Sequence, residues 1–349
     1  MGANSRIEWT DHTLNPWEGC TKVSAGCAHC YAEARNARFG GGTAPNWGKG
    51  APRRRTSVQN WNQPIKWNKA AALFVECGNG HRWQAESVEQ EGFCPECGHP
   101  ESVAVRPRVF CASLADWLDD EVPIEWLADL LALIAATQHL DWLLLTKRPQ
   151  NWETRLSEVV AFACFSPKHH AILPWLSRWH PAHDSAGGVP GRPIPPANVW
   201  IGTTVEDRPR ADERIPALLK IPARVRFLSC EPLLGPVHFS DVTRRSDCVS
   251  QLGKPALAAI DWVICGGESG PGARPMHPDW ARSLRDQCAA AGVAFFFKQW
   301  GEWAPGCPSD SKTELRAVSP GVLMGRFGKA VTGRKLQGHE HNAFPEVRS

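Results

Sequence analysis

"RVFCASLADWLDDEVPIEWLADLLALIAATQHLDWLLLTKRP", residues 108–149, contains two short apolar runs, Arg108 to Ala112 and Asp141 to Leu145. Between them apolar residues recur at 126, 127, 130, 131, 133 and 134. That recurrence has the period of one buried helix face. The flanking runs are continuous rather than alternating, as expected of strands covered on both faces, and so of a parallel sheet. The same grammar continues outward. Strands are predicted at Val199 to Thr203, Val225 to Ser229, Asp261 to Cys265 and Ala294 to Lys298, with a poorly defined one before Asn15. About seven strands exceed a flavodoxin-like sheet and approach a barrel, so the expected fold class is α/β, a full or partial (β/α) TIM-type barrel of about six to seven parallel strands.

The chain has 349 residues, 42% of them hydrophobic, enough for a sizeable core. Its start, MGANSRIEWTDH, lacks the apolar core of a signal peptide, and no run reaches the ~18 residues of a membrane span. A cytoplasmic protein with no membrane partner is expected. Arg6 stands where a myristoylation signal wants Ser or Thr. The net charge of +3 argues little for nucleic acid, although Lys49, Arg53, Arg54 and Arg55 form a local basic run. Seventeen Trp against one Tyr could stack bases, but core packing explains them more cheaply. Four segments are expected: 1–39, a cysteine loop and the first β/α unit; 40–107, an insertion; 108–303, the remaining barrel; and 304–349, a loop-rich tail. Ser166 to Ala197, rich in Pro and His, reads as a long surface excursion.

In parallel barrels the reactive groups gather where strands end. The predicted ends carry Ser113 and Asp116, then Thr146-Lys147-Arg148, Thr203-Thr204 with Glu206, Ser229 with Glu231, Gly266-Gly267-Glu268-Ser269, and Lys298-Gln299. Any one could be a cap or turn residue. Six successive polar ends favour a polar ligand site. The Gly-Gly-Glu-Ser-Gly stretch could also bind phosphate through its N–H groups, though it lacks a P-loop spacing.

Thirteen cysteines in a chain without an export signal favour metal ligation, catalysis or burial over disulfides. Cys20, Cys27 and Cys30 precede a helix expected from about Tyr31 to Phe39. Three thiolates on one loop can hold a [4Fe-4S] cluster by three irons and leave the fourth open. Zinc with a fourth ligand from elsewhere, or unligated thiols, are the alternatives.

Residues Asn15, Pro16, Trp17, Gly19, Cys20, Cys27, Cys30, Tyr31 and Ala32 resemble the N-P-Y-x-G-C-x-x-x-C-x-x-C-Y-A pattern of the radical S-adenosylmethionine (SAM) superfamily, above all its spore photoproduct lyase-like branch. "ASLADWLDDEVP", "LLLTKRP" and "IGTTVED" are similar, in order, to later segments of that branch. A still closer resemblance is to a phage- and plasmid-borne family carrying the same N-P-W-x-G-C, L-T-K-R-P, G-G-E-S and K-Q-W stretches. One spacing departs from the superfamily: six residues, Thr21 to Gly26, separate the first two cysteines instead of three. Gly19, Ser24 and Gly26 permit the turns of a longer loop.

The resemblance implies a [4Fe-4S] cluster on Cys20, Cys27 and Cys30, with SAM as cofactor. It implies reductive cleavage of SAM to a radical that takes hydrogen from a substrate, here a nucleobase in DNA or RNA, and an electron donor such as flavodoxin or ferredoxin. By strand order Ser113, Asp116, Thr203, Thr204 and Glu206 are candidates to hold SAM, with Lys147 and Glu231 as further catalytic candidates. The competing readings are radical chemistry on a small metabolite or peptide, and a non-catalytic, metal-stabilised protein that binds nucleic acid or a phage–host partner.

"CGNGHRWQAESVEQEGFCPECGH", residues 77–99, holds Cys77, His81, Cys94 and Cys97. A C-x3-H pair, twelve residues, then C-x2-C makes two knuckles that can close a tetrahedral zinc site. His99 is the alternative to His81. The insertion is too small for a core of its own, so the metal would contribute folding energy. A nucleic-acid clamp using Arg53 to Arg55 and Trp83 is the sharper expectation. Cys111, Cys230 and Cys265 end apolar strands, which fits plain burial, with hydrogen donation to a substrate radical as the functional alternative.

Overall fold

The computed structural model describes residues 5, 7–85, 93–180, 193–240, 242, 256–306 and 313–346. Parts of the insertion (86–92), of the Pro/His-rich stretch (181–192) and of the tail (307–312 and 347–349) lie outside the described residues, as do Met1, Gly2 and Arg6.

Seven strands form one sheet in chain order: β1 His12–Thr13, β2 Arg108–Cys111, β3 Asp141–Thr146, β4 Val199–Thr204, β5 Val225–Cys230, β6 Trp262–Gly266 and β7 Ala294–Gln299. The β1·β2, β2·β3, β5·β6 and β6·β7 pairs are parallel. A one-way strand order with helices between is the sheet of a partial TIM-type barrel. Five of the predicted strands extend one residue further at the C-terminal end, through Thr146, Thr204, Cys230, Gly266 and Gln299. The ladder continues past the apolar run onto residues that are buried as well, four of them threonine, glycine or glutamine rather than large apolar side chains, so hydrophobicity alone stops short of each strand's end. The principal helices are α1 Tyr31–Phe39, α2 Ile124–Ala136, α3 Trp152–Phe165, α4 Arg208–Lys220 and α5 Pro278–Ala291.

The chain divides into two compact units. The first comprises Met1–Glu18, Arg53–Leu144 and Glu153–Trp200. Here α2 buries Leu127, Ala128, Leu130, Leu131 and Ile134, while the predicted face residues Trp126 and Leu133 are only partly covered. Asn198 reinforces the end of this helix by donating from Nδ2 to the carbonyls of Ile134 and Thr137, which also accept the N–H groups of Thr137 and Leu140. The expected surface excursion after Ser166 includes a short helix, Leu173–Trp179, that buries Leu176 and Trp179. His169 Nε2 meets Asp129 Oδ1 at 2.8 Å. Three antiparallel strands, Phe74–Cys77, Arg82–Gln84 and Ser102–Ala104, form a small sheet in the insertion. Arg82 lies 2.9 Å from Glu76 and 3.2 Å from Asp11, and Asp11 accepts the backbone N–H of Arg108 at 2.7 Å.

The second unit comprises Gly19–Pro52, Leu145–Trp152 and Ile201–Ser349. Asp207 caps α4 by accepting the N–H of Arg210 at 2.9 Å, and Gly292 ends α5 in the left-handed conformation. The tail, expected to be loop-rich, also carries short regular elements. Strands Trp303–Pro305, Leu315–Ser319 and Val322–Arg326 make a three-stranded antiparallel sheet, followed by the helix Lys329–Thr332. Exposed alternation and Gly-rich turns disguised these strands. Beyond them residues 341–343 run antiparallel along β7, with Phe297 N–H donating to His341 at 2.9 Å and Ala343 N–H to Phe295 at 3.3 Å.

The tryptophans follow the packing expectation. Trp9, Trp17, Trp117, Trp142, Trp179, Trp262 and Trp303 are among the largest fully buried side chains. The basic run is engaged within the first unit: Arg53 pairs with Asp119 at 2.8 Å, Arg54 with Glu18 at 2.5 Å and Arg55 with Asp129 at 2.7 Å. Arg55 also lies over the Trp61 ring at 4.2 Å. The Arg53 side chain is fully buried, so a clamp built on it has no cation to offer there. No helix among the described residues is long and apolar enough to cross a membrane.

Candidate metal centres and strand-end site

Gly19 to Cys30 belong to the second unit, and three separate groups of that unit hold this loop. After β3, Arg148 donates from Nη2 to the Thr21 carbonyl at 2.8 Å and from Nη1 to Cys20 Sγ at 3.5 Å. After β4, Glu206 accepts the Ser24 hydroxyl at Oε1, 2.6 Å away. After β6, Arg274 donates from Nη2 to the Ala25 carbonyl at 3.0 Å while Glu268 fixes its guanidinium at 2.6 and 2.8 Å. Thus Thr21, Ser24 and Ala25, all within the widened interval between Cys20 and Cys27, carry the anchors. Gly26 fits only without a side chain, because a Cβ there would stand 2.5 Å from Glu206.

Glu206 itself is fully buried, with its second oxygen 2.9 Å from Arg214 Nη1, which also donates to the Thr204 carbonyl at 2.8 Å. Both carboxylate oxygens are therefore bonded to the loop and to α4. Burying a carboxylate is costly unless it is paired and hydrogen-bonded, as this one is.

Cys30 occupies the N-cap position of α1. Burial pushes its thiol up, opposed by the N–H groups of Glu33 and Ala32 and by the Lys147 ammonium. Cys27 Sγ lies 3.7 Å from the Ser24 hydroxyl. All three cysteines are part-exposed. Among the described residues they do not form a set of ligand atoms lying within 4.8 Å of one another, whereas Cys77, His81, Cys94 and Cys97 do. A single zinc at ~2.3 Å from each sulfur places sulfurs about 3.8 Å apart. An iron–sulfur cluster interposes its own irons and sulfides, so its cysteines stand wider. Three thiols on one loop are a donor set that could hold such a cluster through three of its irons.

The four-residue group in the first unit fits one tetrahedral ion. Cys77 Sγ lies 3.9 Å from Cys97 Sγ and 3.7 Å from His81 Nδ1, and Cys94 Sγ lies 3.5 Å from the same nitrogen. Gly80 and Gly98 take positive φ and close the two knuckles through Gly80 N–H to Cys77 and Gly98 N–H to Cys94. Hydrogen bonds from the Asn79 side chain and the His99 backbone draw the Cys97 thiol down to about 6. His99 Nδ1 instead accepts the Glu101 N–H at 3.1 Å. Between the two histidines, His81 is therefore the one turned to the sulfurs.

The remaining candidates divide between the units. In the first, Ser113 exchanges hydrogen bonds with the Asn15 side chain at 3.0 and 3.2 Å, and Asp116 accepts the Leu118 N–H at 3.0 Å in a local turn. In the second, Thr203 donates to the Thr146 carbonyl at 2.9 Å, and Lys147 Nζ donates to Thr204 Oγ1 at 3.1 Å. Glu231 pairs with Lys298 at 2.9 Å. In the Gly-Gly-Glu-Ser-Gly loop two amides are engaged internally, Gly267 N–H to Gln299 and Gly270 N–H to Glu302. A Cβ at Gly267 would fall 1.9 Å from the Trp300 carbonyl. Cys111, Cys230 and Cys265 are fully buried with their thiols pushed well up by burial, which accords with packing. Sequence reasoning named Arg148 and Lys298 among the strand ends without giving them a role, and passed over Arg214 and Arg274. Charge at a strand end does not tell an anchor from a ligand.

Fold and site together define a mixed α/β protein with a partial parallel barrel, a cysteine loop and a separate Cys/His knuckle. The family described as "Protein of unknown function (DUF5131)" matches residues 4–345, and the chain belongs to it. No curated protein matches. Similar solved structures include spore photoproduct lyase complexed with dinucleoside spore photoproduct, at 9% identity and TM-score 0.38, covering 93% of this chain and 71% of that one. A mutant of the same enzyme with bound AdoMet and dinucleoside spore photoproduct shows 10% identity and TM-score 0.38, covering 93% and 72%.

Proposed function

We propose that the protein is a radical SAM enzyme whose [4Fe-4S] cluster is held by Cys20, Cys27 and Cys30 and whose substrate is a nucleobase in DNA or RNA. The observation that carries this reading is the three-cysteine loop itself, pinned by Arg148, Glu206 and Arg274. The ordered resemblance of its motifs supports it, and the substrate rests on that resemblance alone. When bound, such a cluster supplies the electron that cleaves SAM.

This chain's residues would then divide their roles. Glu206 acts as the anchor of the loop, through Ser24 and Arg214. Thr204 with Lys147 offers a hydroxyl and an ammonium to SAM, and Thr203 is a further candidate to hold it. Glu231 with Lys298 offers a carboxylate–ammonium pair to the substrate. The group Cys77, His81, Cys94 and Cys97 holds a structural zinc in the 40–107 insertion.

Anaerobic reconstitution tests the reading. Iron near ~4 per chain with a broad absorbance near ~400 nm is expected, lost on Cys27→Ala. Under dithionite, SAM should yield 5'-deoxyadenosine. Zinc at both cysteine groups and no SAM binding would refute it in favour of a non-catalytic protein.

A further inference from the structure

Arg148 stands out among the residues that hold the loop because it touches a sulfur. Its backbone N–H donates to Thr146 Oγ1 at 2.9 Å, at the last residue of β3, and the residue is only 4% exposed. The two terminal nitrogens of the guanidinium divide their work, Nη2 on the Thr21 carbonyl at 2.8 Å and Nη1 on Cys20 Sγ at 3.5 Å. Holding the loop needs only the first of these bonds.

Resting on the cluster reading above, we propose that Arg148 is a positioning residue that sets the reduction potential of the metal group bound through Cys20. Adding an electron increases the negative charge shared by irons, sulfides and thiolates. A buried guanidinium donating an N–H to one of those thiolates stabilises the more negative state, because potentials follow net charge and hydrogen bonding at sulfur. Burial also keeps solvent from screening the charge. The planar fork is what lets one side chain reach carbonyl and sulfur together, a geometry that a lysine does not reproduce.

The Ser24–Glu206 anchor supplies the contrast, since the Ser24 hydroxyl gives its one proton to Glu206 at 2.6 Å and so, although 3.7 Å from Cys27 Sγ, donates no hydrogen bond to a sulfur. The experiment is an EPR-monitored redox titration of reconstituted wild-type protein, Arg148→Met, Arg148→Lys and Ser24→Ala. Arg148→Met is expected to lower the equilibrium constant for one-electron reduction roughly tenfold, a shift of ~59 mV to more negative potential. Arg148→Lys should fall between it and wild type, and Ser24→Ala should leave the potential unchanged. A loaded Arg148→Met cluster that titrates with wild type overturns the inference while leaving the cluster reading intact. So does a wild-type protein that loads a cluster when neither Arg148 variant does, because the arginine is then only structural. A wild-type protein that takes up no cluster overturns both.

Discussion

Replacing Glu206 by alanine isolates a fully buried electrostatic joint of the second unit. Its carboxylate is fully buried, 2.9 Å from Arg214 Nη1 and 2.6 Å from the Ser24 hydroxyl, and Arg214 is itself 1% exposed. Removing the acid leaves a guanidinium in the interior whose Nη1 keeps the Thr204 carbonyl but has lost its counter-charge. Uncompensated burial of this kind costs about 3–5 kcal/mol. Ser24→Ala removes one hydrogen bond to a charged group, about 1.5–3 kcal/mol, and leaves the ion pair in place. Against a total stability of about 5–15 kcal/mol the first loss is severe and the second tolerable. Replacing both charges, Glu206→Met with Arg214→Met, should recover most of the deficit, since apolar pairs of similar volume commonly substitute for buried ion pairs. Urea unfolding of the four proteins, with slopes compared as well as midpoints, reads these differences. A Glu206→Ala loss below about 1 kcal/mol, or a double variant no better than the single one, would refute the reasoning.

Two further outcomes are expected. His81→Ala should reduce bound zinc from about one per chain toward none, whereas His99→Ala should retain it, as read by metal analysis after dialysis against a weak chelator; the reverse pattern would make His99 the ligand. The second concerns pH. Burial lowers His12, stacked on Trp67 at 4.4 Å, from 6.5 to about 4, so between those values the native state holds fewer protons than the unfolded chain and acidification reduces stability. Burial raises Asp141 from 3.8 to about 6 despite Arg106, Arg82 and Arg108, so there the native state holds more protons and stability falls as pH rises. The two slopes, each about 1.4 kcal/mol per pH unit, oppose one another between about pH 4 and 6. Asp141→Asn should therefore uncover the histidine limb, losing roughly 3 kcal/mol from pH 6.5 to 4. A variant as flat as wild type over that range would contradict it.

The strands were legible because parallel strands buried on both faces leave uninterrupted apolar runs, as Trp142 to Leu145 and Phe295 to Phe297 do. Helix α1 was legible at both ends, from the cysteine before it to Gly40 after it. The tail sheet was not, because Leu315 to Ala317 are exposed and show no inward face. At the site, the group Cys77, His81, Cys94 and Cys97 could be read from spacing, since knuckle geometry is local in sequence. The engagement of Glu206, Arg148 and Arg274 could not. A strand-end carboxylate that anchors a loop and one that receives a ligand are the same letter, and only the partner 182 positions away distinguishes them. The widened cysteine interval likewise looked like a deviation until Thr21, Ser24 and Ala25 were found to bear the anchors.

The short run at 341–343 beside β7 has a meaning for assembly. An outermost strand with its amides and carbonyls unclaimed is a template on which a second polypeptide can crystallise its own backbone, the first step of edge-to-edge aggregation. Phe295 and Phe297 would make that edge greasy as well as open. By lending its own last stretch to them, the molecule blunts a sticky border internally.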